Sequence, residues 1–395
     1  MAADTKPTLD YDGLRPPSPF LTERHAIWRM RLRAFVDAEI APNLNAWSAA
    51  GTFPDGLFRK AAEAGILGMG FPERLGGTGE DIDLYHRMIF AEEFHRHGSG
   101  LVYADLATHS ISLPPVIALG SPSLQDTVAR PVLAGEKKIV FAVTEPSGGS
   151  DVSAFKTSAK RHDSRFVVNG AKTLISGAAR ADFALTAVRT GEAGRGGLSL
   201  LLIEIDRPGV SVAPVQDLAW YNRNNASLTF ENVEVPVDNL IGPENRGFVG
   251  LAAQLNIERF SGISATLSMA RTAVASAIAW ARERRAFEQR LIDHQVIRHK
   301  IVHMIQEINA AYAYLDMLVW RFSQGETPVA DLGMLKAKAT TVLEMCAGAA
   351  MQILGGHAYT GETQVERIYR EARIFHVAGG SEEVLRDLVG RQLGF

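Results

Sequence analysis

Glu258 stands in a stretch where Leu251, Leu255 and Gly262 lie three or four residues apart, so a helix would place all four on one face and set a carboxylate into an apolar stripe. Burial there disfavours the charged form, raises the pKa and makes glutamate a proton acceptor suited to neutral pH. The alternative is a pairing of Glu258 with a lysine or arginine across the fold, since acidic residues are rarely buried without a partner or a task. A second segment runs from Phe141 to Asp151, where a strand-like apolar run opens into Thr144, Ser147, Gly148, Gly149 and Ser150. Free N–H groups and hydroxyls in such a turn could hold a flat polar ring or a phosphate, although a tight turn alone accounts for the same composition. Arg284 has the planar fork that suits a diphosphate, and Gly355-Gly356 would let backbone approach one closely. Read alone, Arg284 beside Arg282 and Arg285 is better explained as a solvated helix residue. His299, His303 and Glu307 have a helical spacing that can bind a divalent metal, but no closing ligand is evident and an ordinary helix face explains them, so no metal is expected.

Elements of two kinds must position these groups. From Leu21 to about Lys137 apolar residues recur at three and four, as in Trp28, Leu32, Phe35 and Val36, then Leu57, Ala61, Ala62 and Ile66, which predicts helices. The period then changes to short β-rich runs at 139–143, 165–168, 172–175, 183–188 and 198–205, with Asn169-Gly170 expected as a hairpin turn. After Gly247 the helical pattern returns, with long segments around 247–286, 294–323 and 329–354. The order is therefore a loose N-terminal arm (1–20), a helical domain (21–137), a central antiparallel β domain (138–245) and a C-terminal helical domain (246–395): an α+β fold, because strands and helices are segregated instead of alternating.

The chain has 395 residues, 46% hydrophobic and 22% charged, enough for an extensive core. A net charge of −3 with both signs dispersed leaves no basic stripe for nucleic acid or an anionic membrane. One cysteine, Cys346, excludes an intramolecular disulfide and thiol-metal clusters and suits a reducing compartment. The first twenty residues, with Asp4, Asp10, Asp12 and four prolines, fit neither a secretory core nor a transit helix, and no apolar run reaches the ~20 residues of a membrane span; a cytoplasmic protein without membrane insertion is expected.

Taken together, several segments resemble the acyl-CoA dehydrogenase family. Thr144-Glu145-Pro146 with Gly149-Ser150-Asp151, then Asn169-Gly170 and Lys172, is similar to the family's middle-domain signature. Upstream, Gly68, Pro72-Glu73 and Gly76 to Gly79 fit its N-terminal pattern; downstream come Gly247-Phe248, Glu258-Arg259, Arg284 with Phe287 and Gln295, Gln352 to Gly356 with Tyr359-Thr360, and the block from Val365 to Arg373. The set is specific although each member alone is weak, and it spans residues 21 to 395. The resemblance implies a helical N-terminal domain, a central β domain and a C-terminal four-helix domain, with FAD held at a subunit contact of a homotetramer built as a dimer of dimers. It implies that Phe141, Ala142, Val143, Thr144, Ser150, Leu174 and Ser176 contact the flavin. Arg284, Phe287, His294 and Gln295 would reach the FAD of the neighbouring subunit, with Gln352, Gly355 and Gly356 against its pyrophosphate and Ser381 and Glu383 near the flavin. Ser150, Leu255, Arg259, Gly379 and Gly380 would line the acyl-CoA site.

The family's reaction removes a proton from the α carbon of an acyl thioester while a hydride leaves the β carbon for the flavin. Many members carry the base as glutamate in a C-terminal turn; here the matching position is Gly379, in His376 to Ser381. Glu258 instead matches the base position of the long-chain and isovaleryl members, which implies a long or branched acyl substrate converted to the trans-2-enoyl-CoA, as in β-oxidation of fatty acids. Gly379 would keep a role through its N–H, which with a flavin ribityl hydroxyl would bind the thioester carbonyl. Glu382 and Glu383 are competing carboxylates that by position belong to flavin contact or to a helix N-terminus. Leu174 stands where the family often has tryptophan or phenylalanine, and Glu288 where glycine usually follows Phe287. Electrons are expected to pass to an electron-transferring flavoprotein. Rival readings are an acyl-CoA oxidase using oxygen, a flavin monooxygenase, and a catalytically silent scaffold relative.

Overall fold

The computed structural model describes residues 9–216, 218, 223–360 and 363–395, and the side chains of Arg195, Val249 and 251–253 lie outside the described residues. Helices α1 (Glu23–Phe35), α2 (Leu44–Ala50), α3 (Gly56–Glu63), α4 (Leu84–His95), α5 (Leu101–Leu106) and α6 (His109–Leu119), with the short α7 (Pro122–Leu124) and α8 (Arg130–Leu133), make the first part. The expected periodicity is the buried one: Trp28, Leu32, Phe35, Val36, Leu57, Ala61 and Ile66 share a cluster with Phe90 and Phe94. Residues 9–20 are not a loose arm. Leu14 is buried, the Tyr11 hydroxyl lies 2.7 Å from Ser268 Oγ, and Arg271 Nη2 donates to the Tyr11 carbonyl at 2.8 Å. Partners more than 250 residues away hold this segment, which is why local composition alone suggests disorder.

The central sheet contains β1 (Ile139–Ala142), β2 (Ser158–His162), β3 (Arg165–Ile175), β4 (Phe183–Arg189), β5 (Leu198–Glu204), β6 (Val210–Pro214), β7 (Ala226–Pro236) and β8 (Leu240–Ile241). The order is β6-β7-β3-β2-β4-β5-β8, with β1 also on β4. Most pairs are antiparallel, as the central β domain was expected to be, while β1 and β2 run parallel to β4 and make the sheet mixed there. Strand β5 is apolar without alternation because both its faces are covered. Leu201 and Ile203 pack within the β domain, while Leu200 and Leu202 meet Leu113, Val116 and Val132 of the N-terminal helices. Asn169-Gly170 is no hairpin turn: it lies inside β3, at a register shift between Val168 and Gly170 opposite β7. Gly170 has φ 144°, and a Cβ there would stand 2.6 Å from Thr157 Cα, while Asn169 Oδ1 accepts from the Asn232 N–H at 2.9 Å. The pair serves a bulge; the β2–β3 turn occurs at Asp163-Ser164, with Asp163 at φ 47°.

The last part consists of α9 (Gly247–Glu283), a two-stranded hairpin of β9 (Arg285–Ala286) and β10 (Gln289–Arg290), α10 (Gln295–Ser323), α11 (Val329–Leu354), α12 (Gln364–Val377) and α13 (Glu382–Leu393). Helix α9 packs on α4, α10, α11 and α12, and α13 docks on α11. Small side chains on α9, among them Ala270, Ala273, Ala277 and Ala281, are fully buried and let its neighbours approach. Among the described residues no helix is long and apolar enough to cross a membrane.

Candidate active site

The carboxylate of Glu258 is half-buried on α9. Its pKa is raised: burial is the largest influence and outweighs the attraction of Arg259 and Lys336. Among the described residues none donates a hydrogen bond to this carboxylate or stands within ion-pair distance of it. The pairing alternative therefore fails, since Arg259 is turned elsewhere. Its Nε donates to the Gly379 carbonyl at 3.1 Å and its Nη1 to Asn256 Oδ1 at 2.9 Å. Leu255 is half-buried on the same helix, whereas the Leu251 side chain lies outside the described residues.

Arg259 thus brings the C-terminal loop to the base. Lys336 completes the attachment from α11: its Nζ donates to the carbonyls of Phe375 at 2.6 Å and Gly380 at 2.8 Å. Burial lowers the Lys336 ammonium pKa to about 8, with Glu382, Glu258 and Glu383 acting against the shift and Arg259 with it. Gly379 and Gly380 take φ 69° and 101°, and a Cβ on Gly379 would meet nothing within 4 Å. Among the described residues neither glycine's N–H has an acceptor, so two backbone donors stand open beside the loop's tethered carbonyls. Glu382 is occupied otherwise, 2.6 Å from His376 Nδ1 and accepting from Thr340 at 3.0 Å. Ser381 caps α13, and Glu383 sits in that helix's first turn. Lys336 escaped the sequence reading, although Leu332, Ala339 and Leu343 around it give the same spacing signal that marks Glu258.

The turn from Val143 to Asp151 is held from below. Lys172, fully buried on β3, donates to the Val143 carbonyl at 2.8 Å and to Glu145 at 2.9 Å, and Glu145 also accepts from the N–H groups of Lys156 and Thr157. The Thr173 N–H then donates to the Thr144 carbonyl at 2.9 Å. This stitching brings Phe141, Ala142, Val143 and Thr144 alongside Leu174 and Ser176. Among the described residues the hydroxyls of Thr144, Ser150 and Ser176 and the N–H groups of Ser147, Gly149 and Ser150 have no partner. Leu174 beside them is 57% exposed and held at φ 56° where β3 shifts register. A bare apolar side chain ringed by unpaired donors fits a flat, polar-edged ring. Helix α5 joins this region to Glu258: Asp105 meets Gly177 and Arg180, and Tyr103 lies beside Ser261, one turn from Glu258, its phenol pushed up to about 12 mainly by burial.

Arg284, Phe287, His294 and Gln295 gather elsewhere. Arg284 follows α9 about 39 Å beyond Glu258 at helical rise, and Phe287 tips the β9–β10 hairpin with 91% of its surface exposed. His294 braces that hairpin, its Nδ1 accepting from Gln289 at 3.0 Å and its Nε2 3.2 Å from the Ala286 carbonyl. Nearby, a groove of about 300 Å³ is lined by Trp280, Glu283, Leu354 and His357, with Trp280 and His357 stacked at 4.5 Å. Gln352, Gly355 and Gly356 are exposed at its edge, the two glycines with nothing within 4 Å of an added Cβ. His299 and His303 are exposed on α10, and Glu307 pairs with Lys338.

Residues 22–136, 140–233 and 245–394 match the acyl-CoA dehydrogenase N-terminal, middle and C-terminal domains in turn. Acyl-CoA dehydrogenase AFT10-1 of Alternaria alternata is 31% identical over 95% of this chain and 92% of its own length. The chain belongs to the acyl-CoA dehydrogenase family. The short-chain specific mitochondrial acyl-CoA dehydrogenase of Homo sapiens is 30% identical over 94% of this chain and 90% of its own. A probable acyl CoA dehydrogenase of Mycobacterium abscessus superposes with a TM-score of 0.91 at 39% identity, covering 94% of this chain and 99% of that one. Like its family, this acyl-CoA dehydrogenase is an FAD-dependent oxidoreductase acting on CH–CH groups. The unpaired donors around Leu174 and the open glycines at 355 and 356 are the features of this chain that fit a flavin ring and a diphosphate.

Proposed function

We propose that this chain dehydrogenates an acyl-CoA thioester between its α and β carbons to the trans-2-enoyl-CoA, with Glu258 as the base. The observation that carries the reading is a half-buried, unpartnered carboxylate whose neighbouring arginine holds a glycine loop with two free N–H groups. Those N–H groups, of Gly379 and Gly380, bind the thioester carbonyl and stabilise the enolate-like charge that forms as the α proton leaves. Glu258 takes that proton, its basicity preserved by the shortage of water and of competing donors. Phe141 to Thr144, Ser150, Leu174 and Ser176 hold the flavin; bound FAD supplies the acceptor for the β hydride. Arg284, Phe287, Gln295, Gln352, Gly355 and Gly356 serve the cofactor of a second subunit, because about 39 Å of helix separates Arg284 from Glu258. That division calls for a second subunit, and the family resemblance makes the assembly a homotetramer.

The placement of the base on α9 favours a long or branched acyl chain. Electrons pass to an electron-transferring flavoprotein, in keeping with a relative 29% identical to this chain that is named as a subunit of a caffeyl-CoA reductase-Etf complex in Acetobacterium woodii. Mixing the yellow holoenzyme anaerobically with acyl-CoA thioesters should bleach the flavin. Glu258→Gln should keep the flavin and slow bleaching by about 10²- to 10⁴-fold; unchanged turnover would remove Glu258 from the role. Persistent colour with every thioester would favour the silent scaffold, and fast peroxide formation in air the oxidase.

A further inference from the structure

A small cavity of about 20 Å³ opens one helical turn past the base, walled by Ile66 and Phe90 and edged by Tyr103, Ser110 and Ser261. Arg87, on α4, forms its far side. Every other arginine packed on this helix has a carboxylate: Arg15 and Arg29 meet Glu92, Arg33 and Arg96 meet Glu93, and Arg271 lies 3.8 Å from Glu92. Arg87 has none. Among the described residues it makes no ion pair and no hydrogen bond, although it is half-buried. Burial lowers its pKa, and Tyr103 is what acts against that shift.

A cation taken from water without a counter-ion is unfavourable and persists where a ligand supplies the missing charge. The cavity has room for about one water molecule, which suits a small terminal group better than a length of alkyl chain. A guanidinium presents a planar fork that matches a carboxylate with two parallel hydrogen bonds, and the hydroxyl of Tyr103 at the cavity edge offers a further donor. We infer that Arg87 selects acyl-CoA thioesters whose acyl chain ends in a carboxylate, that group seated between Arg87 and Tyr103. This rests on the dehydrogenase reading, since it takes the thioester to lie at Glu258 and the chain to run along Ser261 toward α4; with Ser261 one helical turn from the base that chain is short, and it replaces the long acyl chain proposed above.

Pairs of acyl-CoA thioesters matched in length, with and without a terminal carboxylate, give the test, read as kcat/KM of the holoenzyme with a dye acceptor and as anaerobic bleaching. The parent should prefer the carboxylated member by tenfold or more, roughly the effect of one charge-assisted pair. Arg87→Met should keep its flavin, lose that preference at least tenfold and gain on the uncharged member, while Arg87→Lys should keep part of it. Equal kcat/KM for both members in the parent, an unchanged ratio in Arg87→Met, or a preference for a terminal hydroxyl over a carboxylate would overturn the inference and leave the dehydrogenase reading standing. If no thioester of either kind bleaches the flavin, the dehydrogenase reading falls and this inference with it.

Discussion

An ionised carboxylate at position 258 is opposed by its burial and supported by Arg259 and Lys336, with burial the larger influence. The folded-state pKa therefore lies above the ordinary value of 4.5. Between those two values the folded chain keeps a proton that the unfolded chain has lost, so stability falls as pH rises through that window. Glu258→Gln, always neutral, should be more stable than the parent at about pH 7, the gain fading toward the ordinary glutamate range; denaturant unfolding at two pH values measures it. Activity has the opposite sign, since the base must be ionised, and kcat/KM should climb through the raised pKa. A less stable Glu258→Gln at neutral pH would mean that the carboxylate is paired after all. The setting of Glu258 was readable because Leu255 and Gly262 fix its helix face. Lys336 carried the same signal unrecognised. That Arg87 lacks a partner could not be read at all, because it depends on which way Glu92 and Glu93 turn once α1, α4 and α9 have packed.

The β9–β10 hairpin shows an element keeping its shape against its own sequence. Phe287 and Glu288 both take the left-handed conformation, at φ 50° and 66°, in a two-residue turn that ordinarily calls for asparagine and glycine. Arg285 Nη2 closes it by donating to the Glu288 carbonyl at 2.6 Å, and His294 braces it from α10. Glu288→Gly should relieve about 1 kcal/mol of local strain, less whatever a freer unfolded chain takes back. A small rise in Tm is expected, on the order of 1–2 °C for a chain of this length; a fall would show that the Glu288 side chain contributes contacts of its own. The long helices were legible in the sequence because period 3.6 persists over many residues, and α10 and α11 begin and end within a residue or so of expectation. Strands β2, β6 and β7 were not, since β2 and β6 are largely exposed and β7 is interrupted by Asn232 at φ 51°. Asn169-Gly170 misled because a bulge and a hairpin demand the same residue types.

At the scale of the molecule, two adjacent buried carboxylates on α4 join parts of the chain that are distant in sequence. Glu92 and Glu93, both fully buried, draw in Arg15 from the N-terminal segment, Arg29 and Arg33 from α1, and Arg271 from the middle of α9. Arg271, 1% exposed, also donates to the Tyr11 carbonyl and to the Tyr312 hydroxyl, so one guanidinium links the N-terminal segment, α9 and α10. Such a cluster adds little over a well-packed apolar core, but breaking it leaves a buried charge uncompensated, which costs about 3–5 kcal/mol. Glu92→Gln should therefore lower the unfolding free energy of the holoenzyme by about 3 kcal/mol at neutral pH. The pH dependence separates this from simple loss of packing. Burial works against the Glu92 charge and three arginines overcome it, holding its pKa at about 2, below the ordinary 4.5. A depressed carboxylate stabilises the fold above the unfolded value, and that contribution is lost as pH falls from 4.5 toward about 2. The gap between parent and Glu92→Gln should accordingly narrow as denaturant midpoints are measured at successively lower pH. A gap that stays constant down to the acid limit would mean that glutamine fails through its shape and that the charge at position 92 does not hold the domains together.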